Sequence, residues 1–270
     1  MGVVQNKTEI VRIKTYIENF DKEMQGGIPQ NHIVLFSGTA GTMKSSLTFN
    51  ILYNEILQNN KVAMYLTLEQ SSESLLNHMV NLDYDLGKIN IYVIDNLAEL
   101  TNVMKSLNKS NEGSLIMADL GALRKEIQSV KVASGGDWIN VVKNLIRKLK
   151  ENVNLELFVL DSLSALYVVS DFEKPRVELF HLFEFLRDLQ ITTFLISEMP
   201  LTKNKYGEFE IESFLADGVI KLDLVERHRK VSREITVVKM RSTHANNDVF
   251  TLDFANGKFK ALYGGQPALI

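Results

Sequence analysis

The sequence predicts an α/β fold with a mostly parallel central sheet, extended at its C-terminal end by antiparallel strands. Three observations carry that prediction. Strand-length apolar runs alternate with longer amphipathic stretches, the pattern of βαβ units. A Gly/Thr loop joins one of those runs to a helix at Gly38–Ser45. The last third instead holds short alternating runs about a turn-like Asn256-Gly257, as antiparallel strands do.

Taken in order, Ile33–Phe36 reads as a buried strand and Ser45–Leu57 as the helix after the loop. Lys61–Leu68 is a second strand and Ser71–Leu82 a second helix. Ile89–Ile94 and Leu115–Ala118 are further strand candidates flanking a helix over Glu99–Lys109; the sequence does not choose which of them joins the central sheet. Trp138–Lys150 is a helix, with Asp137 as its N-cap. Leu157–Asp161 is a strand, Pro175 opens a helix to about Leu189, and Thr192–Ile196 is a strand. Val219–Leu224, Glu234–Met240, Val249–Phe254 and Lys258–Leu262 form the antiparallel extension. Residues 1–30 are expected to form a lead-in helix and residues 262–270 a flexible tail around one domain spanning 1–270.

With 45% hydrophobic and 23% charged residues, 270 residues are enough to bury a sizeable core. The formal charge of −3 gives no overall basic footprint for nucleic acid. There is no cysteine, which excludes disulfides, thiolate nucleophiles and cysteine-based zinc sites. Met1–Lys14 lacks the apolar stretch of a signal peptide, and no apolar run approaches membrane-spanning length, so no membrane insertion and a cytoplasmic location are expected.

The strongest local signal is Gly38-Thr39-Ala40-Gly41-Thr42-Met43-Lys44-Ser45 between a buried strand and a helix. Such a loop turns its N–H groups onto anionic oxygens at a helix N-terminus, where the helix dipole adds attraction. Lys44 supplies a compact charge to phosphate, and the Ser45 hydroxyl is suited to Mg²⁺. The usual glycine before the lysine is Met43 here, whose Cβ restricts the backbone. A plain strand-to-helix turn would need no such lysine, but the motif by itself does not exclude one.

Downstream, Phe158-Val159-Leu160-Asp161 has the form of a Walker B strand, hydrophobic residues ending in an acid that can hold Mg²⁺. Thr67-Leu68-Glu69-Gln70 closes the strand after the loop helix, so Glu69 is the candidate base for a water attacking phosphate. Its alternative is capping the helix that starts near Ser71.

Together these segments resemble the KaiC-like branch of the RecA superfamily, including its RadA-like archaeal relatives. Ile17-Glu18-Asn19-Phe20-Asp21 and Gly26-Gly27-Ile28-Pro29 are similar to the family's lead-in, and the loop with Ser46 follows at the family spacing. Glu69-Gln70 stands where two glutamates are usual. Asp161-Ser162-Leu163-Ser164-Ala165-Leu166 is similar to the family's Walker B run. Ser197-Glu198 stands where polar residues, with Gln70, sense the γ-phosphate. Ala216-Asp217-Gly218-Val219-Ile220 resembles a strand entry, and Lys239-Met240-Arg241-Ser242-Thr243-His244 a lysine–arginine segment.

The resemblance implies a RecA-like three-layer sandwich that binds ATP and Mg²⁺. ATP would contact Thr39, Ala40, Gly41, Thr42, Met43, Lys44, Ser45 and Ser46, with Ser45 and Asp161 on the metal and Glu69 and Lys44 catalytic. It also implies that Lys239 and Arg241, and as a further candidate His244, reach the nucleotide of a neighbouring subunit, which requires a ring such as a homo-hexamer. Gln70 removes one carboxylate, and His244 lies nearer Arg241 than the family spacing. Read by residue type alone, Lys239 and Arg241 are outward residues of an exposed strand.

The expected function is an ATPase that drives or signals to an unidentified protein partner. The alternatives are a RadA-like DNA-stimulated ATPase of recombination or repair, and a slow nucleotide-gated switch. Two segments bear on nucleic acid. Glu226–Lys230 reads as a solvated hairpin tip, and Pro200–Glu212 as a mobile loop in which Glu208, Glu210 and Glu212 offset Lys203 and Lys205.

Overall fold

The computed structural model describes residues 9–96, 99–110, 112–122, 124, 138–170, 174–199, 206–208, 210–227 and 230–263. The readings of Asp137, Lys203, Lys205, His228, Arg229 and the tail from 264 lie outside these residues, as do the first eight residues.

Thirteen strands are described: β1 Arg12–Ile13, β2 Ile17–Glu18, β3 Ile28–Pro29, β4 Ile33–Gly38, β5 Val62–Thr67, β6 Asn90–Ile94, β7 Ser114–Asp119, β8 Leu157–Asp161, β9 Thr192–Glu198, β10 Gly218–Arg227, β11 Lys230–Met240, β12 Phe250–Ala255 and β13 Lys258–Tyr263. The helices are α1 Lys44–Asn59, α2 Ser72–Asn81, α3 Leu100–Ser110, α4 Trp138–Val153, α5 Leu163–Ser170, α6 Pro175–Asp188 and the single turn α7 Glu212–Leu215.

Eleven strands make one sheet in the order β2-β13-β12-β11-β10-β4-β9-β8-β5-β7-β6, and β1 pairs with β3 apart from it. From β10 to β6 every neighbour is parallel. The β10–β11, β11–β12 and β12–β13 pairs are antiparallel. Both open strand candidates, β6 and β7, belong to the sheet. β10 is a correction to the purely antiparallel reading: it is antiparallel to β11 but parallel to β4, pairing Gly218 with Val34 and Leu222 with Gly38.

The central strands are apolar on both faces because helices cover both, the condition for a buried parallel sheet. On one face Phe36, Tyr65, Val159 and Ile196 pack with Leu47, Phe49 and Ile51 of α1 and Leu75 of α2. On the other, Leu35, Met64, Leu160 and Leu195 pack with Leu107, Ile146, Leu166 and Phe183 of α3 to α6. The result is the three-layer sandwich expected. α5 had no signal of its own: Leu163–Val169 is too uniformly apolar to show a helical period.

Among the described residues the lead-in helix is not observed. Residues 9–30 form β1, β2, a 3-10 turn over Asp21–Met24, and β3. Side chains that bond backbone in place of a helical ladder explain the difference. Asp21 Oδ1 accepts from Thr15 N and Oγ1 at 2.8 and 2.7 Å, and Arg12 Nη1 donates to Met24 O and Gly27 O at 3.2 and 2.9 Å. Gly27, at φ +130°, passes so near Ile13 that a Cβ would meet its carbonyl oxygen at 2.3 Å.

Candidate functional site

In a parallel sheet all C-terminal strand ends fall on one edge. Here β4 ends at Gly38, β9 at Glu198, β8 at Asp161 and β5 at Thr67, in register as Gly38↔Glu198 and Thr67↔Asp161. The loop 39–43 leaves that edge and turns into α1. Thr42 Oγ1 donates to Thr39 O at 2.8 Å and closes the turn. Gly38 admits no side chain, since a Cβ would lie 2.5 Å from Leu222 O and 2.9 Å from Thr42 Oγ1.

Met43 stands at φ 69°, ψ 30°, the left-handed conformation that glycine adopts freely. That accounts for glycine as the usual residue. The half-buried Met43 side chain packs against the α1-side core, a contact glycine cannot make.

Lys44 is 7% exposed, and its Nζ donates to Gly38 O at 2.8 Å and Thr39 O at 3.0 Å, which holds the ammonium against the loop. Burial lowers its pKa; Glu198, Glu69 and Asp161 act in the opposite sense by their negative charge. Asp161 is 2% exposed and accepts from Tyr65 Oη at 2.6 Å. Burial pushes its carboxyl above the ordinary range, opposed by hydrogen bonds from Tyr65 and Ser45.

Glu69, at the next strand end, is exposed, and Ser162 Oγ donates to its Oε1. It does not cap α2: Ser71 Oγ does, accepting from Ser74 N at 3.1 Å. Gln70 Oε1 accepts from Ser74 Oγ at 3.3 Å.

A cleft of about 700 Å³ gathers these groups, lined by Ala40 to Ser46, Glu69, Gln70, Asp161 and Glu198. Thr39 is buried and meets the loop through its carbonyl. Ser197 is a correction: its neighbours Ile196 and Glu198 line the cleft, so strand alternation turns its fully buried side chain to the opposite face. Five lining residues were not anticipated: His78, Leu82, Ile196, Arg233 and Phe254. Arg233 Nε donates to Gly41 O at 3.2 Å, and His78 Nε2 lies 3.4 Å from Ser46 Oγ.

Lys239, Arg241 and His244 are not in this cleft. β11 is antiparallel to β10, which is parallel to β4; Met240 pairs with Gly218, and Gly218 with Val34, so this end of β11 lies at the opposite sheet edge. Val34 lies four positions before Gly38, about 13 Å along the strand. There Lys239 Nζ donates to Ala216 O at 2.7 Å and Ser213 O at 3.0 Å, and Arg241 Nη1 pairs with Asp217 Oδ1 at 2.7 Å. His244 N donates to Gln25 Oε1 at 3.1 Å.

A family profile described as "ATPase: KaiC" matches residues 13–260. The chain belongs to the KaiC ATPase family. Curated relatives of this KaiC-family chain include a UPF0273 protein of Sulfurisphaera tokodaii, 27% identical over 239 residues, covering 87% of this chain and 76% of that one. The circadian clock oscillator protein KaiC of Thermosynechococcus vestitus is 25% identical over 260 residues, covering 94% of this chain. The chain spans only 44% of that clock protein's length. Among solved structures, a KaiC-like protein of Pyrococcus horikoshii superposes with a TM-score of 0.72 at 22% identity, covering 94% of this chain and 99% of that one; that likeness shows the fold. The KaiC family is a family of P-loop ATPases. Among the described residues no helix is long and apolar enough to cross a membrane.

Proposed function

We propose that the chain binds ATP with Mg²⁺ in this cleft and hydrolyses it at subunit interfaces of a ring, turnover driving or signalling to a protein partner. The observation that carries the reading is one cleft holding the loop 40–46, the acid Asp161 and the acid Glu69. The loop amides and Lys44 would take the phosphates. His78, Leu82 and Phe254, which also line the cleft, offer flat or apolar surface for a purine.

The donor set fits Mg²⁺. Among the described residues no three His, Cys, Asp or Glu side chains are grouped to hold a metal. Mg²⁺ commonly needs only one or two carboxylates beside substrate phosphates, and Asp161 with the Ser45 hydroxyl meets that need. When bound there, Mg²⁺ would supply positive charge to the phosphates that Lys44 and the loop amides hold.

Glu69 accepts a proton from water as its oxygen bonds to the γ-phosphorus; the bond to the β–γ bridging oxygen breaks and ADP leaves. Lys44 stabilises the charge developing on the transferred group. Lys239 and Arg241 lie at the wrong edge to reach this cleft in their own chain. Their position supports a role in a neighbour's site, in a head-to-tail ring whose number of subunits, six in this reading, follows from closure.

A slow nucleotide-gated switch is the second reading, favoured by Gln70, which stands beside Glu69 as a neutral amide accepting from Ser74 Oγ rather than as a second carboxylate. Phosphate release across protein concentration, with and without single-stranded DNA, tests the proposal. Specific activity should rise with assembly, fall at least a hundredfold in Glu69→Gln, and ignore DNA. Tight ATP binding with no turnover at any concentration would leave only the switch.

A further inference from the structure

We propose that Ser162 is the positioning residue for Glu69, holding its carboxylate toward the cleft; the inference rests on Glu69 serving as the base. Glu69 and Ser162 belong to neighbouring parallel strand ends, each just beyond the paired Thr67 and Asp161. Glu69 is exposed, and an exposed glutamate samples many rotamers, so by itself it points nowhere in particular. Ser162 is the reverse case, with no exposed surface.

The direction of the serine proton follows from what surrounds the oxygen. Ala165 N donates to Ser162 Oγ at 3.2 Å, and Leu166 N donates to Ser162 O at 3.1 Å, so Ser162 is the N-cap of α5. A capping hydroxyl spends a lone pair on the helix N–H and keeps its one proton for another acceptor. That acceptor is Glu69 Oε1. The rigid start of α5 therefore orients an otherwise mobile carboxylate. The bond occupies one oxygen and leaves Oε2 to accept from a water. It also holds Glu69 beside Asp161, whose negative charge would otherwise repel it.

The test is a double-mutant cycle on the full chain under assembling conditions, reading kcat, fluorescent-nucleotide affinity and melting temperature. Ser162→Ala should lower kcat about tenfold, the scale of loss from a misaligned reacting group, with nucleotide affinity within twofold of wild type. In the Glu69→Gln background the same change should move kcat by less than twofold. Ser162→Thr, which keeps the hydroxyl, should recover most of the loss. Ser162→Gly keeps a competent cap without the hydroxyl, so it should show the same loss of about tenfold in kcat even where alanine impairs folding. Equal loss in both backgrounds, or no loss in either serine variant, overturns the inference while leaving Glu69 as base. Unchanged phosphate release in Glu69→Gln itself overturns the base reading and this inference with it.

Discussion

Tyr65 Oη donates a 2.6 Å hydrogen bond to Asp161 Oδ2 across the β5–β8 pair, and both side chains are buried. A carboxylate out of water needs such donors, and this one fixes the acid at the strand end where a cation would meet it. Burial and the Asp161 charge together push the Tyr65 hydroxyl well above its ordinary pKa, so it stays a donor.

Tyr65→Phe keeps the ring and removes that donor. The expected loss of stability is about 1–3 kcal/mol, the range for depriving a buried charged group of a partner. A thermal melt checks it. The Mg²⁺ concentration that half-saturates nucleotide binding should also rise. Melting and Mg²⁺ midpoints both equal to wild type would show that Tyr65 is only packing.

Met43 makes a ranking prediction. Its left-handed backbone is strained by roughly 1–2 kcal/mol for a residue with a Cβ and is harder still for a β-branched one. Met43→Gly trades that strain against lost packing, so its stability should stay within about 1 kcal/mol of wild type. Met43→Ile should lose about 1–2 kcal/mol and weaken ATP binding. Denaturant midpoints with a nucleotide titration decide the order; an isoleucine variant that binds as well as wild type contradicts it.

Lys239 and Arg241 sit at the sheet edge opposite Lys44, which makes complementation the test of their role in a neighbour's site. Lys44→Ala and Arg241→Ala should each be nearly inactive alone, given that cations supplied by a neighbour are worth about 10³ or more in rate. Mixed in equal amounts and reassembled, about a quarter of head-to-tail interfaces pair an intact loop with an intact arginine. Activity should recover to about that fraction. A mixture as inactive as its components counts against action across the interface.

Much of this was legible in the sequence because local chemistry decided it. Gly38–Ser45 requires a strand before it and a helix after it, and Leu157–Asp161 alternates too little for any but a doubly covered strand. What was missed depended on tertiary placement. Phe254 and Arg233 read as ordinary residues of alternating strands, and only the return of β11 and β12 past the loop brings them to the cleft. Ser197 and Glu198 were both expected at the site, but a strand's period of two sends neighbours to opposite faces, so of the two only Glu198 lines the cleft. The lead-in misled because Asp21 and Arg12 satisfy backbone groups that helical spacing would otherwise have claimed.

The central claim is met most directly by titrating a fluorescent ATP analogue into the wild-type chain with and without Mg²⁺, beside Lys44→Ala and Asp161→Asn. The account predicts Mg²⁺-enhanced binding by wild type, at least tenfold weaker binding by Lys44→Ala, and little Mg²⁺ enhancement in Asp161→Asn. Wild-type protein with no affinity for the analogue, or with affinity indifferent to Mg²⁺ and to both substitutions, would contradict it.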